Sequence, residues 1–75
     1  MKIILQDWKT GFEKVTLTKL QINMLRISLK DAKSNVDAIL NEEEVILNIE
    51  DTFLAQKFIE KISEIGVNFQ ILETT

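Results

Sequence analysis

Seventy-five residues with neither a cysteine nor a histidine leave this chain one means of holding itself together, an apolar core. No disulfide can staple it, and the usual zinc and copper ligand sets cannot be assembled from what remains. A domain of this size buries a modest share of its surface, so most of its large apolar residues must serve packing. The length fits one domain, residues 1–75, and no proline, low-complexity run or internal repeat divides it. Its purely apolar runs, such as Ile3-Ile4-Leu5 and Val45-Ile46-Leu47, fall far short of the ~20 residues that a membrane-spanning helix requires. The chain passes from Lys2 straight into an alternating stretch, without the small-residue site at which a secretory leader is cut. A cytoplasmic protein with no cofactor and no membrane partner is the expectation.

The apolar residues recur with two different periods. Residues 2 to 8 alternate, with Ile3 and Leu5 on one side and Lys2, Ile4 and Gln6 on the other, which predicts a strand with one buried face. Asp7 to Glu13, with Gly11 inside, reads as a turn, and Thr10 followed by Glu13 offers a capping box for a helix that starts near Glu13 or Lys14. Leu17, Leu20 and Met24 are spaced to face the core, leaving Lys14, Val15, Thr18, Lys19 and Ile22 along the neighbouring stripe. The pattern breaks at Arg26-Ile27-Ser28, and Ser28 caps a second helix expected to bury Leu29, Ala32, Val36 and Ile39 or Leu40. Glu42-Glu43-Glu44 reads as a loop and Val45 to Ile49 as a strand. Asp51 or Thr52 caps the last helix, whose Leu54, Phe58, Ile62 and Ile65 make one buried stripe ended by Gly66. Residues 67 to 73 alternate again and give the third strand. The predicted order is β-α-α-β-α-β, an α+β two-layer sandwich in which three helices cover one face of a three-stranded, mainly antiparallel sheet. Ile4, Ile46 and Leu72 would then form an apolar patch on the uncovered face, a surface suited to a homodimer.

Reactive groups are scarce. Serine has no histidine to activate it, and the carboxylates at Glu42-Glu43-Glu44 and Glu50-Asp51 fall on loops, not across a cleft. The acidic run also lacks the alternating spacing and the glycine of a calcium loop. With Gly11 and Gly66 the only glycines, no phosphate-cradling loop is present. A non-enzymatic binding protein is what remains. Trp8 and Phe12 read either as an exposed recognition pair or as a cap on the end of a small core.

Charge is divided unevenly along the chain. The net charge of -3 conceals a first part, up to Asp37, with seven basic and four acidic residues, and a second part with two basic and eight acidic ones. The basic first part is suited to attract an acidic partner. Nucleic acid is not the expected partner, because the whole chain is acidic and no aromatic residue interleaves with Lys14, Lys19, Lys30 and Lys33.

Lys14-Val15, Lys19 and the element Leu29-Lys30-Asp31-Ala32-Lys33, followed by Val36, carry a family resemblance. The chain resembles the C-terminal domain of the bacterial ribosomal stalk protein, the large-subunit protein seven/twelve. There a Lys-Val opens the first helix, a lysine follows four residues later, and Leu-Lys-Glu-Ala-Lys opens the second helix at the same relative spacing. The final helix ending in Gly66 before an alternating strand matches as well, so the likeness spans essentially the whole chain. It implies the same fold and a face on the first two helices that, in the stalk protein, recruits translational GTPases through lysines, an arginine and apolar side chains. Carried over residue by residue, that face is Lys14, Val15, Lys19, Ile22, Lys30 and Lys33. Ile22 stands where the family has its arginine, Thr18 where it has an apolar residue, and Arg26-Ile27-Ser28 where it has two glycines around a leucine. The forked guanidinium contact is therefore lost at position 22. Without a dimerisation segment or hinge, the expectation is a stand-alone stalk-type domain that meets an acidic protein surface on a translation factor or ribosomal component. The Clp protease adaptor of the S type shares the architecture and implies an alternative, a proteolysis adaptor or peptide carrier using the mouth near Trp8 and Phe12. Its Asn-Asp-Asp turn and its histidine are absent, with Asp7-Trp8-Lys9 in the turn.

Overall fold

A computed structural model of the chain describes residues 1–72. The elements run β1 (Lys2–Trp8), α1 (Lys14–Leu25), α2 (Leu29–Leu40), β2 (Val45–Asn48), α3 (Thr52–Glu64) and β3 (Val67–Leu72). This is the predicted α+β order. Glu73, expected to end the third strand, lies outside the described residues. Ile49, expected inside β2, falls just past it, yet its N–H still donates to the Met1 carbonyl at 2.9 Å.

The strand order, which no pattern in the sequence fixes, is β2-β1-β3 with both pairings antiparallel. β2 and β3 are therefore parallel to each other on opposite flanks of β1, and α3 carries the chain across. Ile3 pairs with Leu47 and Ile71, so alternation in all three strands points to one common apolar face. A shift of register between Leu5 and Asp7 makes Gln6 an extra residue against β3, a β-bulge. Its amide donates to the Gln70 side-chain oxygen at 3.2 Å, and the shift pairs Trp8 with Val67 on the helix side of the sheet.

α2 lies against β1 and β2, α3 lies against β3, and α1 touches both helices but no strand. The core is built from Ile3, Leu5, Leu17, Val36, Ile39, Leu47, Phe58 and Ile62, all buried, with Leu20, Met24 and Leu54 packed half-buried around them. Burying each large apolar side chain contributes about 1.5–3 kcal/mol. Two expectations about exposure are corrected. Ile4 is only 8% exposed, because on the central strand Ile46 and Gln70 stand directly opposite it and shield it from both sides. Leu29 is 54% exposed, since it opens the first turn of α2 before that helix reaches the sheet.

The helix ends follow local chemistry. Ser28 Oγ accepts the Asp31 N–H, and the Asp51 carboxylate accepts from Phe53 and Leu54, each relieving a terminal N–H that has no partner in its helix. The expected Thr10 capping box is not formed. Glu13 itself occupies the cap of α1, and no side chain bonds there. At the end of α2, Glu42 takes a left-handed conformation, its N–H donating to Ile39 and that of Glu43 to Ala38. This is the closure in which glycine is usually found. No helix among the described residues is long and apolar enough to cross a membrane.

Candidate functional site

Leu17 and Gln21 are the buried residues of α1, and Ala32, Val36 and Ile39 are those of α2. Fixing those faces inward turns Lys14, Val15 and Thr18 on one helix, and Lys33, Asp37 and Leu40 on the other, toward a common outer groove. It holds about 240 Å³ and is floored by Val36. That is smaller than the usual cleft for a small-molecule ligand and suits one or two inserted side chains. Thr18 donates its hydroxyl to the Lys14 carbonyl at 3.1 Å, so its polar group is already engaged within α1. Val15 is 61% exposed and is the most open apolar side chain on the rim.

The angle between the groove walls is held by a buried polar pin. Gln21 is fully buried, its amide nitrogen donating to the Ala32 carbonyl at 3.2 Å and to the Leu17 carbonyl at 3.4 Å. Its side-chain oxygen accepts from Asn35 at 2.8 Å. A buried glutamine satisfied at both ends admits few alternative helix placements, because sliding either helix would strand a polar group without water.

Of the residues singled out from the sequence, Lys14, Val15 and Lys33 line this groove together. Lys19, Ile22 and Lys30 do not line it. Lys19 and Ile22 follow on α1, exposed and half-buried respectively, and Lys30 is exposed in the first turn of α2. Asp37 and Leu40 line it without having been foreseen. Their spacing from Lys33 is helical, and that is the only hint the sequence holds. With two lysines against one carboxylate in the lining, the groove carries a small positive balance in an acidic chain. Its far end leads from Leu40 to Glu42-Glu43-Glu44.

Trp8 and Phe12 form a corner. Their ring centroids are 6.3 Å apart at an interplanar angle of 31°, with Trp8 40% exposed and Phe12 half-buried against the core. The chain closes on itself here: the Lys9 N–H donates to the Gly66 carbonyl at 2.8 Å and the Phe12 N–H to Lys9 at 3.0 Å. Gly66 has a φ of +92° and sits close against Phe12. A second cleft of about 300 Å³ lies between Met24, Leu25 and Arg26 at the end of α1 and Ile49, Asp51 and Leu54 at the start of α3. Asp51 is engaged there as the helix cap. Among the described residues, no three histidine, cysteine, aspartate or glutamate side chains converge as a metal site would require.

Fold and groove together define an α+β domain of β-α-α-β-α-β order. Comparison with known proteins adds no family: no family model matches the chain, and no curated protein or solved structure is similar to it at a significant level.

Proposed function

We propose that the chain is a non-enzymatic, cytoplasmic protein-binding module that receives an acidic partner surface in the groove between α1 and α2. The observation that carries this reading is the lining itself, where Lys14 and Lys33 flank an apolar centre of Val15, Val36 and Leu40. Lysines steer an acidic partner, and the small apolar centre retains it. The stalk-protein resemblance supports a translational GTPase or a ribosomal component as that partner. Trp8 and Phe12, the alternative mouth for a peptide carrier, are accounted for by the corner they clamp, which favours the groove. Association and dissociation rates measured with a translational GTPase test the division of labour. Lys14→Glu slows association and flattens its salt dependence, whereas Val15→Ala chiefly speeds dissociation. Unchanged rates in both variants would move the binding site elsewhere.

A further inference from the structure

The sheet has two outer edges, and they are protected differently. β2 is four residues long and bracketed by Glu42-Glu43-Glu44 before it and Glu50-Asp51 after it. Brevity and like charge are two of the devices by which natural proteins keep edge strands from pairing with other chains. β3 has neither. Its six residues, Val67-Asn68-Phe69-Gln70-Ile71-Leu72, include no charge and no proline, and the bulge in this pairing belongs to β1. Among the described residues β3 pairs only with β1.

Apolar groups flank that edge on both faces. Ile71, opposite Ile3, is 41% exposed on the helix side, and Leu72, opposite Lys2, is 38% exposed on the other. On α3, Leu54 faces the α1 cleft, and Ile59 lies about 140° around the helix from it, on the flank away from α1. Ile59 and Phe69 are both half-buried.

We propose that the free edge of β3 is a self-association edge, at which β3 pairs antiparallel with β3 of a second copy about a two-fold axis to make one six-stranded sheet. An uncharged strand meets its own copy without repulsion, although each chain carries a net charge of -3. Pairing β3 with β2 of another copy would bring it against an edge that is too short and acid-flanked, so the assembly closes at two chains. Ile71, Phe69 and Ile59 of the two copies then cover one another on the helix side. No residue of the α1–α2 groove takes part, and the inference is independent of the proposed function.

Sedimentation equilibrium of the whole chain over a range of concentrations tests this, with circular dichroism confirming that each variant is folded. The expected result is a monomer–dimer equilibrium that Ile71→Lys weakens about tenfold or more and that Ile46→Lys, on the opposite edge, leaves unchanged. Since the chain has no cysteine, single replacements at Asn68 and Gln70 supply a second readout: at least one forms a disulfide-linked dimer on oxidation faster than Ile46→Cys. A monomer at every concentration overturns the proposal. So does a dimer lost with Ile46→Lys but retained with Ile71→Lys, or cross-linking that favours position 46.

Discussion

Removing the Asn35 amide isolates what the buried pin between α1 and α2 contributes. In Asn35→Ala the Gln21 oxygen, on a side chain buried in the intact protein, loses its 2.8 Å donor and regains at most partial access to water past the half-buried position 35, so part of its desolvation cost is left unmatched. An unsatisfied buried acceptor costs about 1–3 kcal/mol. Replacing Gln21 by Met in the same background removes the stranded acceptor and fills the site with an unbranched apolar side chain. The Leu17 and Ala32 carbonyls lose only an amide bond that supplemented their places in the helices. The double variant Gln21→Met/Asn35→Ala should therefore recover most of the lost stability, although it carries one more substitution. For a domain of 60–100 residues each kcal/mol corresponds to roughly 4–8 °C in Tm, so the single variant should melt visibly lower than the double. Urea unfolding of the wild type, both single variants and the double closes the cycle. If the double variant is less stable than Asn35→Ala alone, the glutamine is held by more than satisfaction of its polar atoms.

Three further substitutions probe the rest of the fold. Phe58→Ala, at a fully buried core position, should cost about 3–5 kcal/mol, and an unmoved melting transition would remove Phe58 from the core. Asp51→Ala takes away an acceptor for two backbone N–H groups and should cost roughly 0.5–2 kcal/mol in chemical denaturation. Glu42→Gly relieves a left-handed residue at the close of α2 and should raise stability by up to about 1 kcal/mol, seen as a higher Tm.

The parts of the fold legible in the sequence are those set by neighbours along the chain. Alternation at Ile3 and Leu5 placed β1, helical spacing of Phe58 and Ile62 placed α3, and Ser28 and Asp51 announced their helices because an N-cap needs only the next three residues. What escaped depends on contacts distant in sequence. The bulge at Gln6 carries no glycine or proline signal, yet it changes which side of the sheet Trp8 occupies. Ile4 is buried only because the strand order makes β1 central. The same limit governs the site. Lys14, Val15 and Lys33 could be grouped on one face, but the entry of Asp37 and Leu40 follows from the helix-hairpin angle, which Gln21 and Asn35 set across the interface.

Calorimetric titration of a purified translational GTPase with the chain over rising ionic strength asks whether the α1–α2 groove receives an acidic protein surface. Binding should weaken steeply as salt is added and fall about tenfold or more in Lys33→Glu, a variant of an exposed residue that keeps its fold. Absence of binding at low ionic strength, or an affinity in Lys33→Glu equal to that of the wild type, would rule out the groove as the surface that receives this partner.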